Sequence, residues 1–224
     1  MSDTDSFIEE VTEEVRRDRL FAMMRKYGWI AIVAIALIVG GAAWKEYSKA
    51  QRETAAQALG DAITGALQAD GAEARAAALE GISTEAASEA AVVDFLRAAA
   101  LAEDDRAEQA VEVLDGISLN GDLPLIYRNI AAFKALTLKA PTADADELRT
   151  GFAALATPGS PIRLLAEEQL ALLDIRSGEP QAAIDRLQAI LDDAEVTADL
   201  QQRATQVIVA LGGEPASRDT GSQG

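Results

Sequence analysis

The chain has 224 residues, with 37 Asp and Glu against 20 Lys and Arg and a formal net charge of −17 at pH 7. Such an acid excess excludes attraction of nucleic acid or anionic lipid through the net field. The sequence contains neither Cys nor His, which excludes disulfides, thiol catalysis and cysteine-ligated metals. Because 49% of residues are hydrophobic but only 4% aromatic, the core must be built from small and aliphatic side chains, which favours packed helices.

Residues 1–26 form a charged head. Apolar residues recur in it at helical spacing with glutamates between them, which predicts a short amphipathic helix. Two interpretations stay open: a solvated helix that leads into a membrane, and a helix that docks on a partner or lies on the membrane surface. The apolar positions are Phe7, Ile8, Val11 and Val15.

Residues 27–44 form an apolar stretch without a charge. As a helix it would be roughly 27 Å long, close to the hydrocarbon thickness of a bilayer. Tyr27 and Trp29 stand at its first edge and Trp44 and Tyr47 at its second, and such rings prefer the membrane interface. The stretch therefore predicts a single transmembrane helix.

The orientation of this helix is predicted from the basic residues around it. Five Lys and Arg lie in positions 16–26, against three in positions 45–59. The positive-inside rule then places the N-terminus in the cytoplasm and the rest of the chain outside. Within the helix, Ala36 and Gly40 have the small-residue spacing that allows packing on another transmembrane helix.

A cleaved signal peptide is the competing interpretation of the same stretch. Gly41 and Ala43 supply the small residues that a cleavage site needs. The apolar run is longer than the about 7–15 residues usual in a signal peptide and Trp44 closes it, so a retained anchor is favoured.

Residues 45–211 carry a repeating pattern. The segment LEGIS at 79–83 recurs as LDGIS at 114–118. Each copy closes a predicted short helix, 72–79 in the first case and 106–114 in the second. The apolar pair Ala110 and Leu114 of the second helix recurs at similar shifts in later predicted short helices, as Leu148 with Phe152 and as Ala183 with Leu187. Helix–turn–helix units at this period are typical of tetratricopeptide arrays. We therefore expect an all-α chain whose transmembrane helix is followed by a tetratricopeptide-like helical-hairpin solenoid.

Longer helices are expected between the short ones. They cover about 88–103, 124–139 and 161–176, and a final helix covers about 197–211. Ser160 before Pro161 predicts the start of one helix, and Asp144 with Glu147 has capping-box spacing. Residues 212–224 are polar and without periodicity, which predicts a disordered tail.

No catalytic motif accompanies these helices. Asp104-Asp105 and Asp192-Asp193 are adjacent carboxylates, but acid–base or metal chemistry would need a further convergent partner that the sequence lacks. They are interpreted as solvated charges. We expect no enzymatic activity, no catalytic residue, no cofactor and no metal site.

The sequence does not identify the residues of a partner-binding groove. Aromatic residues at helical spacing are core fillers or peptide anchors: Phe95, Tyr127, Phe133 and Phe152. Charged residues on the longer helices are candidates for groove-facing groups: Arg128, Lys134 and Arg163.

The layout resembles the ancillary SecYEG translocon subunit family (YfgM-like). The resemblance covers about 1–211 and rests on the head FIEEVTEEVRRDRL, the junction RKYGW, the span end AAWKEY and the repeat AEEQLALLDIRSGEPQAAIDRLQAIL. In that repeat, four residues match the tetratricopeptide consensus: Ala171, Gly178, Ala183 and Leu187.

The resemblance implies a single-pass bacterial inner-membrane protein with a cytoplasmic N-terminus and a periplasmic domain. It implies association with the Sec translocon and with a membrane-anchored periplasmic chaperone of the prolyl-isomerase-like type, and no catalytic residues. The expected function is a protein-interaction scaffold for client polypeptides. The alternatives are a cleaved, soluble periplasmic repeat protein acting in envelope or outer-membrane assembly, and an enzyme using a carboxylate pair.

Overall fold

The computed structural model describes residues 3–215, with side chains described from Met24 onward except at 28 and 31. Every regular element in that range is a helix, so the all-α class is confirmed. The chain divides into two units at Gly60 and Asp61. The helices are α1 Asp3–Leu67, α2 Ala72–Glu80, α3 Ala87–Glu103, α4 Ala107–Leu119, α5 Leu125–Lys139, α6 Ala145–Leu155, α7 Arg163–Arg176, α8 Pro180–Asp192 and α9 Ala198–Ala210.

Helix α1 is continuous over 65 residues. The head, predicted to contain a short amphipathic helix, is helical from Asp3 and continues into the apolar stretch without a break. Residues 1 and 2 lie outside the described range. No proline interrupts the sequence of α1, and its many Ala, Leu and Glu residues are strong helix formers. Beyond Tyr47 its exposed surface carries intrahelical contacts, such as Lys49 Nζ to Glu53 Oε1 at 3.6 Å.

Helices α2 to α9 pack in chain order, each against the next. Helix α3 also touches α5. The apolar pairs that the repeat pattern singled out are all buried, which confirms them as the inward stripe of α4, α6 and α8. A third buried residue extends each stripe by one turn: Ile117, Leu155 and Ile190.

Left-handed backbone positions recur along this second unit. They include Gly71 with φ 90°, Asp105 with φ 57°, Gly178 with φ 77° and Gly212 with φ 79°. The first three stand between a helix and the short helix that follows it. Glycine adopts this conformation without steric cost, and Asp is one of the few other residues that tolerate it. Gly71 and Asp105 are as far apart in sequence as Gly178 and Gly212, and this spacing is close to that of the repeated LEGIS and LDGIS segments.

A side-chain hydrogen bond caps the start of α6 but not the start of α7. Asp144 caps α6, because its Oδ1 accepts a hydrogen bond from the Asp146 N–H at 2.8 Å, but no capping box with Glu147 forms among the described residues. The predicted start of α7 at 161 is wrong. The helix begins at Arg163, and the Oγ of Ser160 is buried without a hydrogen-bond partner among the described residues. Residues 161 and 162 form a turn that places Ile162 in the core, 7% exposed.

The described core is mainly aliphatic, and its aromatic contact joins Phe133 and Phe152. Leu148 and Phe152 of α6 pack against Leu170 and Leu173 of α7. A second cluster joins α7, α8 and α9 around Ala171, Ala183, Leu187, Ala204 and Ile208. At its end the Gly213 N–H donates to the Ile208 carbonyl at 2.9 Å and closes α9. Residues 216–224 of the predicted tail lie outside the described residues.

Candidate functional site

The apolar stretch of α1 is uncovered. The side chains that the interface pattern singled out are exposed by 51% at Tyr27, 63% at Trp29, 73% at Trp44 and 61% at Tyr47. The Lys26 Nζ lies 5.6 Å from the centre of the Tyr27 ring. This part of α1 is long and apolar enough to span a membrane, as predicted, and it is the one such helix in the described chain.

Exposure of this stretch extends around the whole helix. Successive residues turn by about 100° about the axis, so a run of exposed apolar positions covers every side. The run includes Ile30, Ile32, Val33, Ile35, Leu37, Ile38 and Val39. Ala36 and Gly40 lie exposed in the same run, and a methyl group built on Gly40 would meet no atom within 4 Å. No described residue of this unit therefore covers these apolar side chains.

A groove lies between α3 and α5 in the second unit. Its volume is about 270 Å³. Phe95 of α3 and Phe133 of α5 contribute to its walls, and the buried Leu114 of α4 lies beneath them. The remaining lining residues are Ala98, Ala99, Ala102, Lys134, Thr137 and Leu138.

The groove exists because α3 presents small side chains to α5. Ala98, Ala99 and Ala102 lie three and four residues apart, so they share one face of α3. Their methyl groups leave space that larger side chains would fill. Across the groove, the Phe133 ring packs edge to face against the buried Phe152, with 5.7 Å between the ring centroids, and this contact orients Phe133.

Two of the predicted aromatics therefore line the groove together. Phe95 and Phe133 lie far apart in sequence, and only the packing of α3 against α5 brings them to one surface. Phe152 is a core residue, 1% exposed. Tyr127 is half-buried near the start of α5 and does not line this groove.

The three predicted cations have different environments. Lys134 is exposed and lines the groove. Arg163 is held instead by ion pairs, at 2.8 Å to Asp193 and 3.0 Å to Glu195, and these hydrogen bonds raise its pKa. Arg128 is half-buried, and its Nε meets no hydrogen-bond acceptor among the described residues.

Lys134 differs from most cations of the second unit because it has no carboxylate partner among the described residues. Between residues 61 and 215 the sequence has 27 Asp and Glu and 11 Lys and Arg. Eight of those cations lie within 4 Å of a carboxylate, and Arg176 donates to the Ala140 carbonyl at 2.9 Å. Arg128 and Lys134 have no such partner in the described chain, and of these Lys134 alone is exposed.

The adjacent carboxylates lie at the ends of two different helices. Asp104 and Asp105 form the turn after α3, where Asp104 is 3.9 Å from Arg106. Asp192 ends α8, and Asp193 is engaged by Arg163. No group of three potential metal ligands occurs among the described residues.

A buried ion-pair cluster was missed at the sequence level. Asp174 of α7 is 2% exposed and accepts hydrogen bonds from Arg149 of α6 and, at 3.1 Å, from the Nε of Arg186 of α8. Arg186 also binds Glu167 at 2.6 Å. The signal was present in α7, where Asp174 follows Leu170 at helical spacing on the buried stripe.

Opposing effects set the ionisation of this carboxyl. Burial alone would raise the pKa of Asp174, but hydrogen bonds and charges from Arg149 and Arg186 outweigh it and hold the pKa below its ordinary value. The cluster links α6, α7 and α8, and it has the character of a structural junction.

Comparison with known proteins adds no relative to this picture. The chain matches no family model, no curated protein and no solved structure. The tetratricopeptide-like organisation and the translocon resemblance stay predictions from the sequence pattern.

Proposed function

We propose that this chain is a membrane-anchored protein-interaction scaffold of the bacterial inner membrane. The observation that carries the proposal is the uncovered apolar stretch of α1, whose described side chains between Tyr27 and Tyr47 are all exposed. Exposed apolar surface of this extent favours a membrane or a partner over water. Interfacial aromatic residues at both ends favour the membrane.

Its topology follows from the basic residues before the stretch. With five Lys and Arg in positions 16–26 and three in positions 45–59, the N-terminus is cytoplasmic and the second unit periplasmic. The acid excess of that unit keeps it from adsorbing to the anionic membrane surface.

The second unit is proposed to be a tetratricopeptide-like solenoid. Support comes from the buried stripes of α4, α6 and α8 and from left-handed turns, such as Gly71 and Asp105, that recur at a similar spacing. In such arrays each helix pair buries an apolar face only against its neighbours, and one surface of the stack binds partners. The α3–α5 groove is a mainly apolar recess with room for a partner's side chain.

By its resemblance to the ancillary translocon family, the scaffold acts beside the Sec translocon. It links the translocon to a periplasmic chaperone or to emerging client polypeptides, and it binds rather than catalyses. Tethering raises the effective concentration of the groove near such clients to about millimolar, so weak binding suffices.

Membrane integration is tested by alkaline carbonate extraction, where we expect the chain in the pellet. The alternative, a cleaved periplasmic repeat protein, predicts a soluble mature chain beginning near Trp44, and Gly41 and Ala43 supply the small residues for that cleavage. N-terminal sequencing of the mature protein decides between the two.

Partner binding is tested by photocrosslinking in living cells. A photoreactive residue at Thr137, exposed on the groove, should crosslink to translocon subunits, the chaperone or a translocating client. The same residue at Ala154, exposed on α6 and outside the groove lining, is the control. Ala99→Trp, which fills the groove, should abolish the Thr137 products. Equal products from both positions, or products with abundant envelope proteins alone, would contradict the proposal.

A further inference from the structure

We propose that the α3–α5 groove selects an internal client segment in which one large apolar side chain lies next to a single Asp or Glu. This inference rests on the proposed function and adds the chemistry of the client to it. Phe95, Phe133 and Leu138 contact the apolar side chain, and the Lys134 ammonium pairs with the carboxylate.

The size of the groove favours one side chain. Its volume of about 270 Å³ lies below the range of roughly 300–1,000 Å³ that small-molecule sites occupy. The lining from Ala98, Ala99, Ala102 and Leu114 offers methyl groups and no hydrogen-bonding side chain. A Phe, Leu or Met side chain would bury apolar surface there, and a polar side chain would lose its water without a partner.

Polar recognition in the groove is concentrated at Lys134. It is the one charged residue among the described lining residues. The other polar lining group, the Thr137 hydroxyl, donates within its own helix to the Phe133 carbonyl at 2.8 Å. An anion beside the apolar side chain would therefore meet a single available cation.

The positive charge of Lys134 is complementary to a negative charge on a partner. Eight of the 11 cations between residues 61 and 215 already have carboxylate partners, in a unit where carboxylates outnumber cations by 27 to 11. Lys134 has no carboxylate within 4 Å among the described residues, so its ammonium can pair with a negative charge that a partner brings to the groove. On the same helix Lys139 shows the contrast, since its Nζ lies 3.2 Å from Asp115.

A single carboxylate is favoured over an acidic run. The net field of the unit repels several negative charges, whereas at physiological salt the attraction of Lys134 acts within a Debye length of about 8 Å. The client is thus an ordinary apolar segment with one acidic neighbour.

Binding of short synthetic peptides to the full-length protein in mild detergent tests the inference. The probes are short peptides, acetylated and amidated, with a central Phe in an Ala-Ser background. The residue after Phe is Glu, Gln or Lys. We expect the Glu peptide to bind about two- to fivefold more tightly than the Gln peptide, and the difference to shrink at high salt.

Variants of α5 test whether Lys134 causes the preference for the Glu peptide. Lys134→Gln should remove the difference between the Glu and Gln peptides, and Lys134→Glu should reverse it in favour of the Lys peptide. Lys139→Gln removes the same charge from α5 outside the groove and should leave the preference unchanged. Ala99→Trp should abolish binding of all three peptides, with unchanged far-UV circular dichroism as the folding control.

The results that would overturn this inference differ from those that would overturn the proposed function. Equal binding of the Glu and Gln peptides, a preference that survives Lys134→Glu, or binding only of a peptide with a free C-terminal carboxylate would overturn the inference. Where Thr137 still crosslinks to client chains, the proposed function stands without it. Where neither crosslinks nor peptide binding occur, both proposals fall.

Discussion

The Asp174 carboxylate and the Arg186 guanidinium form a hydrogen bond of 3.1 Å between α7 and α8. Arg149 reaches the same carboxylate from α6. The carboxyl is almost fully buried, while both arginine side chains keep about a third of their surface in water, at 34% and 32%. One anion therefore holds three helices, and its two cations remain partly hydrated.

Replacing Asp174 by Asn should lower the free energy of unfolding by about 1–3 kcal/mol, because two charge-assisted hydrogen bonds are weakened. The partial hydration of Arg149 and Arg186 keeps the loss below that of a fully buried pair. Denaturation in urea, followed by circular dichroism in mild detergent, measures it. Because the folded pKa of Asp174 is depressed, the wild-type advantage is present above about pH 4 and is lost as the pH falls through the folded pKa. A deficit that stayed constant down to that pH would contradict this account.

Asp94 of α3 should show the opposite pH dependence. Burial raises its pKa, and the charge of Arg97 offsets only part of that rise. A carboxyl whose folded pKa is raised costs stability when ionised, and the cost disappears as the pH falls to the unfolded value of about 3.9. Asp94→Asn should therefore raise the urea midpoint at pH 7, with a gain that vanishes near pH 4. A stabilisation of equal size at both pH values would exclude this electrostatic cause.

Gly151 marks a close approach of α6 to α5. A methyl group at this position would lie 2.6 Å from Cδ2 of Leu136 and 2.8 Å from its Cδ1. Leu136 is itself packed against the buried residues of α6 and α7, so its methyl groups have little room to move aside. Gly151→Ala should therefore destabilise the protein by up to about 2 kcal/mol, after a gain of about 1 kcal/mol in helix propensity. Gly116→Ala in α4, where a methyl group would meet no atom within 4 Å, should instead stabilise. Thermal unfolding compares the two, and in a Leu136→Ala background, where the opposing methyl groups are absent, Gly151→Ala should cost less stability than it does in the wild type.

Ile35 lies near the middle of the apolar stretch and is 61% exposed. Ile35→Arg should weaken membrane integration by about 2.5–3.5 kcal/mol, the cost of a charge at the centre of a spanning helix. Ala50→Arg places the same charge in α1 beyond Tyr47 and should have no effect. Alkaline carbonate extraction reads out both variants. Retention of Ile35→Arg in the pellet at the level of the wild type would count against a spanning helix.

Sequence periodicity was enough to predict the buried stripes of α4, α6 and α8. Residues such as Ala110 and Leu114 recur at one helical face, and burial of that face is required whatever the neighbour is. The start of α7 could not be obtained in this way. Ser160 before Pro161 has the local chemistry of a helix start, but burying Ile162 delays the helix to Arg163. Tertiary packing decided the boundary.

The groove and the ion-pair cluster depend on contacts across helices. Phe95 and Phe133 were each predicted as core fillers or anchors, but their meeting at one groove is set by how α3 packs on α5. Lys134 and Arg163 looked equivalent in sequence, and only the positions of Asp193 and Glu195 separate them. Asp174 carried a readable signal as a carboxylate on an apolar stripe, but its partners lie on two other helices.

The distribution of aromatic residues has a spectroscopic consequence. Both tryptophans of the sequence, Trp29 and Trp44, are exposed at the ends of the apolar stretch, and the helical unit from Asp61 onward contains none. Tryptophan emission from the unmodified protein therefore reports the surroundings of that stretch alone. Transfer from water to lipid would shift the emission to the blue, and quenchers placed at known depths in a bilayer would locate each indole ring without an added label.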